Sequence, residues 1–213
     1  MPSLRVDQAV IADLVTEKSR ILDLGCGDGL LLKYLFENKQ VQGYGVEISH
    51  EGVHACIAQG LPVYQGDIDH GLSDHDDGAF DYVILSHTLQ TVHRPQFVLQ
   101  EMLRVGKKII VSFPNFGHWS IRTNLLLKGR MPTSPLLPHP WYDTPNIHMC
   151  TILDFQILCQ SMEIHILDQI PLGVGGHRPK GPIKRHVANL IPLAIANLFA
   201  PMAVFLLERK QVL

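Results

Sequence analysis

A short acidic and glycine-rich stretch is the part of the sequence most suited to binding a ligand. The apolar run 21–24 contains Asp23 and gives way to Gly25, Gly27 and Gly29. Glycines at this spacing allow backbone angles that a Cβ atom obstructs, and they let a ligand approach the main chain closely. The residues that follow are typical of a helix, whose first N–H groups lack partners and carry the positive end of the helix dipole. The stretch therefore predicts a strand, a turn and a helix that together hold a carboxylate or phosphate.

Two more acidic residues occur where predicted strands end. Residues 44–48 indicate a second strand that ends near Glu47, and residues 61–64 indicate a third strand that leads to Asp67. Residues 80–86 form a fourth run, which is too apolar to be exposed on either face of a sheet. Because the carboxyl ends of parallel strands meet at one edge of a sheet, we expect these acids to lie near the glycine turn.

Helices are predicted between these strands from helical spacing and capping residues. Ser49 is a suitable N-cap for a helix that turns Val53, Cys56 and Ile57 inward, and Pro95 occupies the favoured first position of another helix. The other predicted elements are helices over 6–15, 120–127 and 151–161, strands over 109–113 and 164–170, a last helix to about 199 and a strand from 203. This alternation favours a parallel sheet with helices on both faces.

Composition limits the class of protein. With 213 residues and 46% hydrophobic content the chain can bury a full core, and we predict one domain over 1–213 with a proline- and aromatic-rich insertion at about 115–150. The net charge of -2 provides no basic field, so nucleic acid is disfavoured as a partner. The four cysteines form no C-x-x-C pair, and the first residues lack the pattern of a signal peptide. We therefore predict a cytoplasmic protein with reduced thiols.

One uncharged stretch, residues 187–207, is long enough to span a bilayer. It also contains Asn189, Asn197, Pro192 and Pro201, and basic residues flank it on both sides. A spanning helix tolerates such residues poorly, and the flanking charges give no orientation bias. We therefore predict a buried helix followed by a strand, and no membrane association.

The glycine pattern distinguishes between two kinds of nucleotide-derived ligand. A nicotinamide-binding turn has the pattern G-x-G-x-x-G, but here the third position is Leu30. The pattern D-x-G-x-G-x-G instead resembles motif I of class I S-adenosylmethionine-dependent methyltransferases. This resemblance implies a Rossmann-like α/β fold with a seven-stranded, mostly parallel sheet, and S-adenosylmethionine or S-adenosylhomocysteine as the cofactor.

The same resemblance implies roles for individual residues. Glu47 is similar to the family's acid that accepts hydrogen bonds from both ribose hydroxyls, and Asp67 with Ile68 is similar to its adenine-binding motif. Ser86 and His87 are expected to border the sulfonium. The cofactor-binding residues predicted on this basis are Asp23, Gly25, Cys26, Gly27, Glu47, Ile48, Asp67, Ile68 and Ser86. For an acidic residue taken alone, a loop carboxylate or a helix cap is the alternative interpretation.

His87 is the one candidate for a catalytic residue. It is placed to act as a base, but a hydrogen-bonded residue of the pocket wall explains it equally well. The histidines of the insertion, His118, His139 and His148, lack a spacing that specifies a metal, and we predict no metal site.

Two strings in the second half of the chain carry a closer resemblance. They are F-P-N-F-G-H-W at 113–119 and L-P-H-P-W-Y-D-T-P-N-I-H at 137–148. With the glycine turn, these strings resemble the MetW family over nearly the whole chain. The resemblance implies a role in methionine biosynthesis together with a homoserine O-acetyltransferase of α/β-hydrolase type. It does not imply that members methylate anything.

The insertion also presents the aromatic residues Trp119, Trp141 and Tyr142 among prolines. Such residues suit a substrate lid or a partner interface, because they provide contact area at low entropy cost. A flap that folds back on the core is the alternative, and the sequence favours neither. A later glycine-rich loop carries Arg178, Lys180, Lys184 and Arg185, which suit either an anion-binding loop or a solvated connector.

Two functions follow from these patterns. The first is an accessory subunit that binds S-adenosylmethionine and supports or regulates a homoserine O-acetyltransferase. The second is an active methyltransferase that acts on a small molecule and uses the aromatic insertion as its acceptor pocket.

Overall fold

The computed structural model describes residues 3–134, 137–173 and 193–210. Its strands are β1 (Arg20–Leu24), β2 (Gln42–Glu47), β3 (Val63–Gln65), β4 (Phe80–Ser86), β5 (Gly106–Pro114), β6 (Ile164–Leu172) and β7 (Met202–Arg209). Its helices are α1 (Val6–Leu14), α2 (Leu30–Lys39), α3 (His50–Ala58), α4 (Pro95–Val105), α5 (Trp119–Lys128), α6 (Ile152–Ser161) and α7 (Leu193–Phe199), with a short 3₁₀ turn at Ile68–His70.

The strands form a seven-stranded sheet in the order β3-β2-β1-β4-β5-β7-β6. Strands β1 to β5 pair in parallel, whereas β7 runs antiparallel to both of its neighbours. The prediction of a mostly parallel sheet is confirmed. The chain order reverses between β1 and β4, and ligands of doubly wound sheets bind at the carboxyl end of such a switch point.

Helices cover both faces of this sheet, and the alternation of side chains along β4 shows how. Tyr82 and Ile84 pack in one apolar cluster with α1 and α2, while Val83 and Leu85 pack in the other with α4 and α6. Successive strand residues point to opposite faces, so a strand covered on both sides must be apolar throughout. The apolar run at 82–85, in the middle of β4, is thus explained.

Several local signals in the sequence are found in the structure. The Ser49 side chain accepts a hydrogen bond from the Gly52 N–H at the start of α3, and Pro95 begins α4. Thr151 forms a capping box at the start of α6. The expectation for Ile57 was wrong, because its side chain is 62% exposed. Helix α3 buries Val53 and Cys56, and Ile57 lies a further 100° around the helix, on its solvent side.

The insertion begins with a buried clamp at Asn115. Its side-chain amide donates to the carbonyl oxygens of Asn197 (2.8 Å) and Ala200 (2.7 Å), and its side-chain oxygen accepts from the Gly117 N–H at 2.9 Å. These bonds fasten the start of the insertion to the end of α7. Between α5 and α6 the described residues of the insertion form no further helix or strand. Leu137 from this part packs in a small apolar cluster with Phe116 and Ile121.

Some boundaries differ from the predictions. The third strand starts two residues later than expected, at Val63, and the last strand starts at Met202. Helix α7 buries Ala196 and Asn197, whereas Phe199 at its end is exposed, so only one face of this helix is buried. The basic loop with Arg178, Lys180, Lys184 and Arg185, and residues 187–192, lie outside the described residues. Among the helices that the structure describes, none is long and apolar enough to cross a bilayer. The single domain stays a prediction.

Candidate functional site

The turn between β1 and α2 has the backbone that its glycines predict. Gly25, Gly27 and Gly29 have φ values of 68°, 59° and 77°, in the left-handed region. A Cβ atom on Gly25 would approach the Thr88 Oγ1 atom to 2.5 Å, so this glycine is required by close packing. A Cβ atom on Gly27 would meet nothing within 4 Å. The main chain at Gly27 therefore borders open space.

Most N–H groups of this turn already donate within the protein. The N–H groups of Gly25 and Cys26 donate to the Val46 carbonyl oxygen, at 2.7 and 3.2 Å. The Gly27 N–H donates to Glu47 Oε2 at 2.8 Å. An anion at this turn thus finds fewer main-chain donors than the sequence suggested, and it needs a positive side chain.

A cavity of about 270 Å³ lies against this turn, and it contains such a side chain. Its lining residues are Arg5, Gln8, Asp23, Gly25, Cys26, Gly27, Asp28, Leu31 and Ser86. The cavity therefore has a guanidinium group and carboxyl groups on its walls. It suits a ligand that carries charges of both signs.

Asp23 is buried at the carboxyl half of β1, on the wall of this cavity. Burial raises the pKa of its carboxyl to about 7; the charge of Arg5 opposes this effect, and the charge of Glu47 adds to it. A cationic group placed beside Asp23 would favour the ionised form.

A second, smaller cavity of about 80 Å³ lies near Gly25. Its lining residues are Gly25, Val46, Ile48, Gly66, Asp67, Ile68, Asp69, Thr88, Thr91 and Val92. Most of the exposed surface of this wall is apolar, and the side chains of Asp67, Asp69, Thr88 and Thr91 add polar groups. Such a lining suits a flat, weakly polar ring that offers a few hydrogen-bonding groups.

Glu47 joins the elements around both cavities. Its Oε2 atom accepts from the Gly27 N–H, and its Oε1 atom accepts from the Ser49 N–H at 2.9 Å. The buried carboxylate thus connects the glycine turn to the start of α3. Each of its oxygens keeps a second lone pair for a ligand hydroxyl.

A buried polar cluster beside the larger cavity was missed by the sequence analysis. Asp7 of α1 is fully buried, and its Oδ2 atom accepts from the hydroxyl groups of Ser86 (2.9 Å) and Ser112 (3.0 Å). Its carboxylate also accepts from Arg5 Nε at 3.1 Å and Nη2 at 3.2 Å, and Arg5 Nη2 donates to Ser86 Oγ at 2.8 Å.

These contacts fix the position of Arg5. Burial alone would raise the pKa of Asp7, but the Arg5 hydrogen bond, the nearby charges and the Ser86 hydrogen bond together hold it below its ordinary value. Asp7 is therefore a carboxylate at neutral pH. It holds the half-exposed Arg5 guanidinium at the cavity wall.

Comparison with known proteins decides the family. A sequence model of the methionine biosynthesis protein MetW family matches residues 5–207. The chain belongs to the MetW family. A bifunctional methionine biosynthesis protein MetXA/MetW from Rhodopirellula baltica is 36% identical over 177 residues, which is 79% of this chain and 28% of that protein. The relationship predicted from the glycine turn and the two later strings is confirmed.

Two methyltransferases are also similar. Ajmaline N-methyltransferase from Rauvolfia serpentina is 34% identical over 102 residues, which is 43% of this chain and 34% of that protein. The chain thus spans about a third or less of the length of both curated relatives. The plantazolicin methyltransferase BpumL, in complex with a triazolic desmethylPZN analog and SAH, superimposes with a TM-score of 0.67 at 16% identity, covering 98% of this chain and 87% of that one. This likeness shows the Rossmann-like methyltransferase fold.

The structure brings the predicted cofactor-binding residues of this MetW-family chain together. Asp23, Gly25, Cys26, Gly27 and Ser86 line the larger cavity, and Gly25, Ile48, Asp67 and Ile68 line the smaller one. The Asp67 side chain also accepts from the Asp69 N–H at 2.9 Å, as the cap of the 3₁₀ turn. The two interpretations of this acid, helix cap and ligand contact, are compatible.

Cys26 has a packing role on the cavity wall. It is buried, and its Sγ atom lies 3.8 Å from that of Cys56. Burial raises the pKa of both thiols, so both are protonated at neutral pH. All four cysteines are free thiols, as predicted.

His87 points toward the buried cluster. Its Nε2 atom lies 3.6 Å from Asp7 Oδ2, and desolvation lowers its pKa although the Asp7 charge opposes this effect. A catalytic role for His87 stays a prediction. Among the described residues, no group of three or more His, Cys, Asp and Glu side chains is arranged to hold a metal ion.

The aromatic residues of the MetW strings lie at the surface. Trp119 is 46% exposed, and Trp141 and Tyr142 are 72% and 74% exposed. Trp141 and Tyr142 contact each other edge to face, with ring centroids 5.7 Å apart. The alternative of a flap folded onto the core does not hold for these two rings. Their role at a partner or substrate surface stays a prediction.

Proposed function

We propose that this chain binds S-adenosylmethionine, or its product S-adenosylhomocysteine, in the two cavities around Gly25. The observation that carries the proposal is their contrasting chemistry. One cavity offers a guanidinium and carboxyl groups, which fit the zwitterionic methionine part of the cofactor. The other is mainly apolar with Asp67 at its wall, which fits adenine. The open space at Gly27 leaves room for the ligand beside the main chain.

Each part of the cofactor has a matching residue. Arg5 would hold the carboxylate, and Asp23 would hold the ammonium group, since charge-assisted hydrogen bonds are the strong ones. Glu47 would accept from the ribose hydroxyls through its second lone pairs. Asp67 and Ile68 would bind the adenine edge. When bound, the cofactor supplies a methyl group on a positively charged sulfur.

The same proposal assigns the chain an accessory role in methionine biosynthesis. It supports or regulates a homoserine O-acetyltransferase of α/β-hydrolase type, and the relative that joins MetXA and MetW in one protein supports this role. Two proteins fused in one chain have a high effective concentration relative to each other, and such fusion is typical of proteins that act together. The cofactor is then a regulatory ligand, which acts only if its affinity differs between the free and the partner-bound chain.

The test uses the acetyltransferase from the same organism. The two proteins are co-purified, and homoserine acetylation is measured with the acetyltransferase alone, with this chain added, and with S-adenosylmethionine added as well. We expect the acetylation rate to change when this chain is present, and to change again with the cofactor. An unchanged rate under all three conditions would contradict the accessory role.

The second candidate is a methyltransferase that acts on a small molecule. Its support is the similarity to ajmaline N-methyltransferase over part of the chain. Because methyl transfer from a sulfonium requires alignment more than acid–base groups, a site without a clear general base is compatible with it. Incubation with methyl-labelled cofactor and a cell extract tests this function. A labelled product that depends on the protein supports it, whereas repeated absence of such a product contradicts it.

A further inference from the structure

The loop between β4 and α4, residues 87–93, contacts both the smaller cavity and the insertion. Thr88, Thr91 and Val92 line the cavity. Between them, the carbonyl oxygen of Gln90 accepts from the Ile147 N–H at 2.8 Å and from the His148 N–H at 3.0 Å. The loop therefore connects the wall of the smaller cavity to the main chain of the insertion.

This loop contains strain and unsatisfied polar atoms. His87 has a φ of 56°, in the left-handed region that is costly for a residue with a side chain. Gln90 Oε1 and His87 Nε2 are buried, and within the described part of the chain neither has a hydrogen-bond partner; His87 Nε2 lies 3.6 Å from Asp7 Oδ2, beyond hydrogen-bond distance. Buried polar atoms without hydrogen-bond partners destabilise the arrangement in which they occur. Both features raise the free energy of this arrangement of the loop.

The insertion next to this loop has the chemistry of an interface. We call residues 140–149 the aromatic segment. It contains one charged residue, Asp143, and it exposes Trp141 and Tyr142. Local bonds order it, because the Asp143 N–H donates to the Pro140 carbonyl oxygen at 3.1 Å and the Asn146 N–H donates to Thr144 Oγ1 at 3.2 Å. Interface cores are rich in aromatic residues and poor in charges, and an ordered segment loses little entropy on binding.

We infer that the aromatic segment is the docking surface for the acetyltransferase, and that the loop 87–93 makes this docking depend on whether the cofactor cavity is occupied. The inference rests on the proposed function. The acetyltransferase is the occupant because a relative carries the MetXA and MetW functions in one chain, which keeps the two at a high effective concentration. A second copy of this chain is the competing occupant, which the experiment distinguishes.

The first experiment measures the affinity of the acetyltransferase by calorimetry. The test variant is Trp141→Ala with Tyr142→Ala. The control is Ile57→Ala with Ile157→Ala, which truncates two apolar side chains on α3 and α6 that are 62% and 55% exposed. We expect the test variant to bind at least about tenfold more weakly, since aromatic anchors dominate interface energies. The control should bind like the unmodified chain. Equal affinity of the two variants would overturn the inference.

The second experiment measures coupling. The acetyltransferase affinity is determined with and without saturating S-adenosylmethionine, and for the unmodified chain we expect a ratio of about 5 or more. Ile147→Pro removes one of the two N–H groups that donate to the Gln90 carbonyl oxygen and leaves that of His148, whereas Ile147→Ala keeps both. We expect the ratio to fall toward one in the proline variant and to persist in the alanine variant. A ratio that is the same in both variants would overturn the role of the loop.

The outcomes separate the inference from the proposed function. If the unmodified chain does not bind the acetyltransferase at all, the accessory function itself fails. If it binds but the aromatic substitutions have no effect, only the docking surface fails. Sedimentation of the chain alone tests the competing occupant. A dimer that dissociates on substitution of Trp141 and Tyr142 would assign the segment to self-association and overturn the inference.

Discussion

At the scale of single residues, Glu47 connects the glycine turn, which borders the larger cavity, to the start of α3. Because both of its oxygens accept main-chain N–H groups, Glu47→Gln replaces one acceptor with a donor that faces Gly27 or Ser49. A hydrogen bond to a charged group is worth about 1.5–3 kcal/mol, so we expect S-adenosylmethionine affinity to fall by roughly tenfold or more. Isothermal titration calorimetry measures this change.

The control for this prediction is Glu51→Gln, a substitution of an exposed acid in the first turn of α3. It changes the charge of the chain equally without touching the glycine turn. Equal affinities for the two variants would show that Glu47 does not contact the cofactor.

The raised pKa of Asp23 predicts that cofactor affinity depends on pH. Its pKa is raised to about 7 mainly by burial, so at pH 5.5 it is largely protonated in the ligand-free protein. A cationic ammonium group requires the ionised form, and we expect S-adenosylmethionine affinity to rise roughly tenfold between pH 5.5 and 7. Asp23→Asn should bind weakly and without this dependence. A flat profile in the unmodified chain would contradict the contact between Asp23 and the ammonium group.

Asp23 also makes the free energy of unfolding depend on pH, in the direction opposite to its effect on cofactor affinity. The folded carboxyl holds its proton more tightly than the unfolded one, whose pKa is near 3.8. Stability of the ligand-free chain is therefore lost as pH rises from about 4 to 7, by up to about 1.4 kcal/mol per pH unit. In denaturant unfolding, Asp23→Asn should remove this loss. The site thus becomes less stable at the pH at which it binds best.

At the scale of elements, the turn between β1 and α2 allows a matched comparison of two glycines. Gly27 (φ 59°) and Gly60 (φ 71°) are both left-handed, and a Cβ atom on either meets nothing within 4 Å. Alanine at either position should cost about 1–2 kcal/mol of unfolding free energy, from backbone strain alone. Only Gly27→Ala places a methyl group at the larger cavity, so only this variant should lose cofactor affinity, by about tenfold or more. Similar affinities in both variants would show that the ligand does not approach Gly27.

The strand ends could be predicted from the sequence, whereas the Asp7 cluster could not. Asp23, Glu47 and Asp67 each lie at or near the carboxyl end of a predicted strand, and parallel strands bring such ends together. Asp7 contacts Ser86 and Ser112, which are distant along the chain, and no local pattern pairs them. One sequence signal for the burial of Asp7 was nevertheless present in α1.

That signal is the spacing of α1. Asp7 lies on the same helical spacing as Val10, Ile11 and Leu14, the buried face of the helix. An acid on an apolar face must be paired inside the protein. The opposite error occurred at Ile57, where an apolar residue at helical spacing from Val53 was expected to face inward but is exposed. Helical spacing predicts direction, but it does not predict where a short helix stops contacting the core.

At the scale of the whole molecule, the sheet was predictable and the insertion was not. Alternating strands and helices restrict the topology to a few arrangements, because crossovers are right-handed and short. Residues 115–150 have no such period after α5. Their conformation depends on single contacts, such as the clamp at Asn115 and the Gln90 carbonyl oxygen. The two sequence strings that resemble the MetW family marked these residues as distinctive, but only the structure shows which of their aromatic rings are exposed.

The last prediction concerns the stability of the whole chain. The two cavities join residues from α1, the glycine turn, the end of β2, the 3₁₀ turn and the loop after β4, so a ligand that fills them connects elements from all of this edge of the sheet. A ligand that binds only the folded state at 100 times its dissociation constant adds about 2.7 kcal/mol. For a chain of this size we expect Tm to rise by about 5–10 °C.

Thermal unfolding measures this shift with S-adenosylmethionine and with S-adenosylhomocysteine. Both ligands should raise the Tm of the unmodified chain, and the Tm of Glu47→Gln should rise less at the same ligand concentration. Adenosine alone should give a smaller shift, because it cannot fill the smaller cavity and reach Arg5 and Asp23 at the same time. No shift with either cofactor form at millimolar concentration would contradict the binding site itself.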